Sequence, residues 1–476
     1  MSRIRFGPEG WNAVLAEDFT FANVKALTQG IAAYLNSNNL GKKGVVVGYD
    51  NRFLGDRIAR AVARVLVANG IKVLLLRHPV PTSAVAFAVR ERATGGALVV
   101  AGGSCPYEYQ GLKFIPEYAG VAMPAVAEEI QGEADRVLEC RKVYELSLEE
   151  GEKLGLVEEI EVENDYLRHL SRMVNPEIFK ERQLKVVVDP MFGAAVSFLE
   201  RCLEALGCGV RVVHGYRDVL FGGLRPEPVE SSLDDLKRAV RTYEADLGLA
   251  LDGEGGRLGV VDETGEFVSP NRVLCLVLDH LLKTRSFRGP VARTAATTQV
   301  LDRIAKKNGL GINETPLGFH YVGECLRERG CMLGGDEEGG MSILGHVPYR
   351  DGILAGLLVA EMVAFAEKSL TEIYGQFTEE YGRAENLRVD LPYREQDRDR
   401  LTARFQEFSP KAIAGVRVER TLSVEGKKFV MEDGSWVLLR NPDSQPVLSI
   451  YIEAQDRVRL TDIQREIQNV LGLSSQ

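Results

Sequence analysis

The chain has 476 residues and a formal net charge of −10, with 45% apolar and 26% charged residues. These values are typical of a globular protein of about three or four domains. The acidic balance, with no run of Lys or Arg to offset it, excludes nucleic acid as an expected partner.

Neither the N-terminus nor the most apolar stretch indicates a membrane partner. The start, MSRIRFGPEG, lacks the apolar run of a signal peptide. The longest apolar run, 353–366, is interrupted by Glu361, and a bilayer crossing needs about 20 apolar residues. The seven cysteines are scattered without a C-x-x-C pair. This pattern favours reduced thiols and a cytoplasmic location.

Helical and strand periodicities alternate through the first part of the chain. The predicted elements are a helix at 20–35, a strand at 45–47, a helix at 57–69, a strand at 71–76, a helix at 83–92 and a strand at 97–101. This alternation is typical of βαβ units with a largely parallel sheet.

The alternation recurs twice further along the chain. The second set is a strand at 185–189, a helix at 194–206, a strand at 210–214, a helix at 231–243 and a strand at 246–251. The third set is a strand at 290–294, helices at 297–308 and 318–329, a strand at 331–333 and a helix at 352–367. Each set places a glycine-rich loop at a strand end, where α/β sheets bind ligands.

The last hundred residues have a different pattern. Leu387, Val389 and Leu391 alternate with polar residues, further strands follow, and two helices are predicted at 395–408 and 461–470. The sequence therefore predicts three tandem mixed α/β-sheet domains and a C-terminal α+β domain. The expected domain bounds are 1–160, 161–262, 263–372 and 373–476.

The loop after the strand at 97–101 has the composition of an active-site loop. Gly102 and Gly103 break the strand, and Ser104, Cys105 and Lys113 follow within about ten residues. Small polar residues, a thiol and a cation at a strand's carboxyl end favour a ligand site.

Short motifs along almost the whole chain together resemble those of the α-D-phosphohexomutases, the phosphoglucomutase and phosphomannomutase superfamily. They are RFGPEGW at 5–11, GYDNR at 48–52, PVPTSA at 79–84, DPMFGA at 189–194, FGGLRPEP at 221–228, RTAATT at 293–298, ETPLGFHYV at 314–322 and HVPYRDGILAG at 346–356. The resemblance implies four domains around a central cleft. It also implies an isomerase of carbohydrate metabolism, an intramolecular phosphotransferase whose phosphoserine exchanges phosphoryl groups with a hexose phosphate.

The nucleophile of that chemistry is absent at its expected position. The family reads T-A-S-H-N-P-x-x-Y-N-G-x-K here, and aligning Pro106 and Lys113 with this pattern puts Gly103 at the phosphoserine. Loss of a covalent nucleophile costs up to about 10⁶ in rate. Ser104, one residue later, is the alternative nucleophile, although a one-residue shift in extended backbone turns the side chain away.

The loop that corresponds to the family's metal-binding loop also lacks part of its ligands. The family's D-G-D-x-D-R is D-G-E-G-G-R here, with Asp252, Glu254, Gly256 and Arg257 at the positions that matter. One carboxylate is missing and another is longer, whereas Mg²⁺ demands strict octahedral geometry. We therefore expect weak or no Mg²⁺ binding.

The remaining loops keep part of the expected ligand contacts. The resemblance implies sugar binding by the acidic loop GGDEEGG, where a glutamate replaces the usual serine at position 338, with a solvated acidic loop as the alternative. The C-terminal phosphate loop has lost its second arginine to Ser449. The resemblance implies catalytic roles for Lys113 and Arg257, beside the Gly103 position and Ser104. The substrate-binding residues that it implies are Arg52, His320, Asp336, Glu337, Glu338, His346, Arg440 and Ser444.

Two functional hypotheses follow. The first is a protein of this family that lacks mutase activity and binds a hexose phosphate, or that pairs with an active homologue or with itself. The alternative is an active phosphohexomutase that uses Ser104. A repurposed hydrolase has no motif in its favour, although a fold does not fix a function.

Overall fold

The computed structural model describes residues 4–424, 426–441 and 447–471. Four sheets follow one another along these residues, one in each of four units. The predicted fold class, three tandem α/β domains followed by a C-terminal α+β domain, is confirmed.

Domain I contains a six-stranded sheet in the order β1-β5-β4-β2-β3-β6, in which β1 and β5 are antiparallel to their neighbours. Its strands are β1 Trp11–Val14, β2 Val45–Tyr49, β3 Val73–Leu76, β4 Gly96–Val100, β5 Tyr109–Pro116 and β6 Val157–Ile160. Its helices are α1 Phe21–Ser37, α2 Gly55–Ala68, α3 Thr82–Arg92, α4 Pro124–Cys140 and α5 Leu148–Lys153. The loop between β4 and β5 contains Gly103.

Domain II contains a five-stranded sheet in the order β11-β10-β9-β7-β8. Its helices are α6 Glu163–Ser171, α7 Pro176–Glu181, α8 Leu199–Ala205 and α9 Asp234–Tyr243. Its strands are β7 Lys185–Asp189, β8 Gly209–Val212, β9 Leu247–Leu251, β10 Leu258–Val261 and β11 Phe267–Val268. The loop between β9 and β10 contains the depleted metal motif.

Domain III contains a four-stranded sheet in the order β13-β12-β14-β15. Its strands are β12 Val291–Thr294, β13 Ile312–Thr315, β14 Leu333–Gly335 and β15 Met341–Ile343. Its helices are α10 Pro270–Thr284, α11 Val300–Lys307, α12 Phe319–Glu328, α13 Gly352–Ala366 and α14 Leu370–Tyr381. The acidic loop joins β14 to β15.

Domain IV contains an antiparallel sheet in the order β16-β21-β20-β19-β18-β17. Its strands are β16 Glu385–Pro392, β17 Ala412–Ile413, β18 Val416–Ser423, β19 Lys427–Met431, β20 Trp436–Arg440 and β21 Val447–Ala454. Its helices are α15 Arg398–Glu407 and α16 Arg457–Leu471.

One strand and one helix lie beyond the expected bounds of their domains. Strand β11, at 267–268, pairs with β10 and so belongs to domain II, and α14 packs on α11 and α13 of domain III. The breaks between structural units therefore lie after Val268 and after Tyr381, rather than at 262 and 372. The helix expected at 194–206 begins only at Leu199, because Ser197, inside the expected range, has a positive φ that an α-helix does not allow.

The apolar residues form one core shared by domains I, II and III, and separate clusters in domain I, in domain II and in domain IV. A single cluster of buried side chains extends from Val46 to Ala384, whereas the cluster of domain IV begins at Ile413. A small cluster that includes Ala295 and Trp436 joins domains III and IV. Among the described residues, no helix is long and apolar enough to cross a membrane.

Candidate active site

Residues from all four domains surround a cleft of about 1340 Å³. The cleft brings together most of the residues expected from the sequence, whereas Arg52 and His346 are not in its lining and Ser444 lies outside the described residues. The expected residues that line the cleft are Gly103, Ser104, Lys113, Asp252, Glu254, Arg257, His320, Asp336, Glu337, Glu338 and Arg440.

Arg52 lies beneath the loop between β4 and β5 and holds it in place. Its fully buried guanidinium donates to the carbonyls of Gly103, Cys105, Pro106 and Tyr109 at 2.6–3.0 Å. Four charge-assisted hydrogen bonds to backbone fix the loop's conformation. Arg52 is therefore placed to position the loop, and its expected contact with ligand stays a prediction.

His346 lies in a buried chain of hydrogen bonds away from the cleft. Its Nε2 is 2.8 Å from Asp351 Oδ2, and its Nδ1 is 2.9 Å from Nε2 of His169. The same Asp351 carboxylate accepts from the hydroxyl of Tyr166 at 2.5 Å. The side chain of His346 therefore forms a hydrogen-bonded contact between domains II and III.

The Gly103 position faces an ion pair in the cleft. A methyl group placed on Gly103 would lie 3.4 Å from Glu254 Oε1 and 3.7 Å from Lys113 Nζ. Lys113 Nζ lies 2.6 Å from both carboxylate oxygens of Glu254, and Thr82 donates to Glu254 Oε2 at 2.8 Å. The expected nucleophile position, a lysine and a metal-loop carboxylate therefore meet at one centre.

Electrostatics stabilise this pair in its charged form. Burial alone would lower the pKa of Lys113, but the Glu254 carboxylate outweighs it and raises that pKa. Burial would likewise raise the pKa of Glu254, but the Lys113 charge and its hydrogen bond lower it. Both groups are charged at neutral pH.

The residues of the metal loop do not fit a magnesium ion. Asp252 Oδ1 accepts the backbone N–H of Gly256 at 2.7 Å, and burial followed by the charge of Glu254 raises the pKa of Asp252 to about 6. Both Glu254 oxygens contact the Lys113 ammonium, which a cation would have to displace. Mg²⁺ takes oxygen ligands in near-ideal octahedral geometry, and no cluster of three ligating side chains occurs among the described residues.

Arg257 connects the loop between β4 and β5 to the acidic loop. Its Nη1 donates to Ser104 Oγ at 3.2 Å and to Glu227 Oε1 at 3.1 Å, and its Nη2 donates to Glu338. Its backbone forms a β-bridge with Gly340. The Ser104 hydroxyl therefore contacts a guanidinium.

The acidic loop folds around its own first carboxylate. Asp336 Oδ1 accepts the backbone N–H groups of Glu338 and Gly340 at 3.1 and 2.8 Å. Glu337 accepts from Thr294 Oγ1 at 2.5 Å. Burial, and then the charges of Glu338 and Asp336, raise the pKa of Glu337 to about 7. Glu337 is therefore partly protonated at neutral pH, and its carboxyl group has both donor and acceptor capacity.

Domain IV contributes a second group of polar side chains. Arg440, Ser449 and Asp390 lie in register across three adjacent strands, and Ser449 donates to Asp390 at 2.6 Å. Arg388 and Tyr451, which are paired across β16 and β21, also line the cleft. In the part of domain IV that the structure describes, Arg388, Arg440 and Tyr451 line the cleft, and Ser449 and Asp390 lie beside them in the sheet.

Sequence reasoning missed three charged residues of the cleft. Arg350 donates to Glu9 at 2.6 Å, and Arg388 donates to Glu338 at 2.7 Å. These pairs join positions far apart in the chain, so periodicity gives no signal for them. The charge that replaces serine at Glu338 was a usable signal, because a half-buried carboxylate is stabilised by a cationic partner.

Comparison with known proteins gives consistent matches over nearly the whole chain. Models of phosphoglucomutase/phosphomannomutase alpha/beta/alpha domains I, II and III match residues 3–139, 164–265 and 269–381. A phosphoglucomutase/phosphomannomutase of Thermococcus kodakarensis is 29% identical over 94% of each chain. A phosphoglucosamine mutase of Finegoldia magna is 27% identical over 98% of each chain.

A solved structure has the same architecture. A crystal structure provisionally assigned as a phosphomannomutase from Thermus thermophilus superposes with a TM-score of 0.86 and 30% identity, over 99% of this chain and 100% of that one. The four units and the shared cleft define an α-D-phosphohexomutase fold. The chain belongs to the phosphoglucomutase/phosphomannomutase family, whose members are typically Mg²⁺-dependent isomerases.

Proposed function

We propose that this protein binds a hexose phosphate in the cleft and does not transfer a phosphoryl group through residue 103. The observation that carries this proposal is the centre formed by Gly103, Lys113 and Glu254. Family chemistry needs an oxygen nucleophile and a metal there. Gly103 has no side chain, and an ammonium already neutralises Glu254.

The sugar-binding part of the proposal rests on the acidic loop. Glu337, held by Thr294 and partly protonated, faces the cleft, as does His320. Burial lowers the pKa of His320 to about 4, so its imidazole is neutral. Neutral hydrogen-bonding groups of this kind suit sugar hydroxyls.

Binding and turnover are measured separately. Isothermal titration with glucose 1-phosphate, mannose 1-phosphate and glucosamine 6-phosphate, with Mg²⁺ and with EDTA, is expected to show binding that does not depend on the metal. A coupled assay with glucose 1-phosphate, glucose 1,6-bisphosphate and Mg²⁺ is expected to show no turnover. A rate near about 1 s⁻¹, which is ordinary for an enzyme, would overturn the proposal.

A second candidate function is an active phosphohexomutase that uses Ser104. Two observations favour it: the Arg257 guanidinium contacts the Ser104 hydroxyl, and the relatives named above are described as mutases. Intact-mass measurement of the purified protein decides between the candidates. A stoichiometric phosphate that disappears in Ser104→Ala supports the second, and an unmodified Ser104 peptide supports the first.

Location and assembly complete the proposal. We place the protein in the cytoplasm, since the cysteines are free thiols. Self-association or pairing with an active homologue is tested by light scattering on the purified protein, alone and mixed with a catalytic relative.

A further inference from the structure

The carboxylate of Glu338 is held between guanidinium groups from two other domains. Arg257 of domain II donates to Oε2, and Arg388 of domain IV donates to Oε1 at 2.7 Å. Burial would raise the pKa of Glu338, but these arginines lower it to about 2. Each carboxylate oxygen therefore has a cationic partner.

The surrounding backbone fixes this arrangement. Asp336 accepts the backbone N–H of Glu338 at 3.1 Å, which sets the direction of the acidic loop. The Arg388 guanidinium lies over the ring of Tyr451 at 5.4 Å and also binds Asp390 at 3.0 Å. The two arginines therefore reach the same carboxylate from two different domains, and Arg388 is held by further contacts with Tyr451 and Asp390.

Two converging guanidiniums are suited to a phosphate group. Arginine presents a planar set of donors that matches phosphate oxygens, and such contacts are charge-assisted. Here the Glu338 carboxylate contacts both guanidiniums. Arg388 lies in β16, and Arg440 of β20, two strands away in the same sheet, lines the same cleft.

The net negative charge of the cleft lining suggests that a phosphate ligand competes with Glu338 for the two arginines. Among the described residues, the lining contains eight carboxylates and six Lys or Arg side chains. A phosphate dianion entering this acidic cleft is repelled unless a carboxylate leaves its arginines, since like charges in contact cost several kcal/mol.

We propose that Arg257 and Arg388 form a phosphate subsite that Glu338 occupies as an internal anion. The phosphate group of a ligand binds there only after it displaces the Glu338 carboxylate. The inference rests on the proposed function, because it names where the phosphate of the bound hexose phosphate lies.

The test measures the affinities for inorganic phosphate and for glucose 1-phosphate by isothermal titration. Glu338→Gln keeps the size of the side chain and removes its charge, so phosphate affinity is expected to rise at least about tenfold. Glu338→Ser is a second neutral variant if the first does not fold. Glu338→Asp, which retains the charge, is expected to bind phosphate as weakly as the wild type.

A matched control separates this site from the total charge of the protein. Glu227→Gln removes a different carboxylate from Arg257, at 3.1 Å from Nη1, and leaves Arg388 paired with Glu338. Its affinity for phosphate is expected to change less than about threefold. The double variant Glu338→Gln/Arg388→Met is expected to lose the gain of the single variant.

The outcomes distinguish the two proposals. An unchanged affinity in both neutral variants, or an equal gain in Glu227→Gln, overturns the subsite while glucose 1-phosphate binding by the wild type still supports the proposed function. Absence of glucose 1-phosphate binding in the wild type and in every variant overturns both. A gain that depends on Arg388 supports the subsite.

Discussion

Lys113 Nζ lies 2.6 Å from both carboxylate oxygens of Glu254, and the two side chains are only 8% and 4% exposed. The pair joins the sheet of domain I to the metal-motif loop of domain II. A buried pair contributes little relative to an apolar one, but removing one partner leaves an uncompensated buried charge. Loss of either side chain is therefore expected to lower the stability of the protein as well as to change the charge of the cleft.

Lys113→Met is expected to lower the free energy of unfolding by about 3–5 kcal/mol, because it leaves Glu254 buried and unpaired. The control is Lys72→Met, which breaks an exposed pair with Glu158 and is expected to cost less than about 1 kcal/mol. Urea unfolding monitored by circular dichroism measures both. Equal losses in the two variants would show that Glu254 is not held by Lys113.

Gly103→Ser is expected to fold with a loss of about 1–2 kcal/mol, because Gly103 has a left-handed φ of +55° and its surroundings admit a Cβ. Gly102→Ser should lose more, since its Cβ would lie 2.5 Å from Nε of the buried Arg52. Thermal unfolding compares the two variants. If Arg52 did not hold the loop, Gly102→Ser would lose less stability than Gly103→Ser.

The same Gly103→Ser variant tests whether a hydroxyl alone restores phosphoryl transfer. We expect its mass to stay unchanged after incubation with glucose 1,6-bisphosphate and Mg²⁺, because Lys113 still binds Glu254 and Gly256 supplies no carboxylate. Intact-mass spectrometry gives the answer. A stoichiometric phosphate on residue 103 would contradict this expectation and would show that a metal displaces the lysine.

Magnesium is expected to leave the thermal midpoint of the wild-type protein unchanged. A ligand at 100 times its Kd stabilises the folded state by about 2.7 kcal/mol, so a micromolar site would be evident in millimolar MgCl₂. Scanning fluorimetry with MgCl₂, with CaCl₂ and with EDTA measures this directly. A saturable rise specific to Mg²⁺ is the result that would refute the argument from the donor set.

The raised pKa of Glu337 predicts a pH dependence of stability. Its folded-state pKa of about 7 exceeds the usual 4.5, so the native state holds a proton that the unfolded state has released between these values. Stability is therefore lost as pH rises through this window, by about 1.4 kcal/mol for each unit of the shift.

Glu337→Gln removes this titration. Its stability relative to the wild type is expected to increase by about 2–3 kcal/mol between pH 5 and pH 7.5. Asp252 titrates in both proteins, so its contribution cancels in the comparison. Urea unfolding at several pH values measures the difference, and parallel profiles would show that Glu337 does not carry the proton.

The features that could be predicted from the sequence are those that local residue patterns determine. Apolar periodicity and breaker residues predicted the order of helices and strands, and the fold class is confirmed by the sheets and by the relatives. The ligand-site residues expected from the motifs mostly line the cleft. Whether they contact a ligand stays a prediction, as does the absence of mutase activity.

The contacts between residues that are distant in sequence could not be predicted, because they depend on the tertiary fold. Arg52 has four carbonyl partners because the β4–β5 loop folds over it, and no spacing in the sequence signals this. Arg388 reaches Glu338 across 50 positions. Such pairs depend on how domains pack, and local periodicity carries no information about packing.

The division of the apolar core has a consequence for heating. The cluster that extends from Val46 to Ala384 joins domains I, II and III, and the second cluster of domain I, which includes Val45 and Val47, packs on the other face of the same sheet. These three domains therefore form one cooperative block, whereas the cluster that begins at Ile413 belongs to domain IV alone. Calorimetry should therefore resolve two endotherms, since cooperative unfolding follows the boundaries of continuous cores. A ligand that bridges Arg257 and Arg388 would draw the smaller endotherm up towards the larger one.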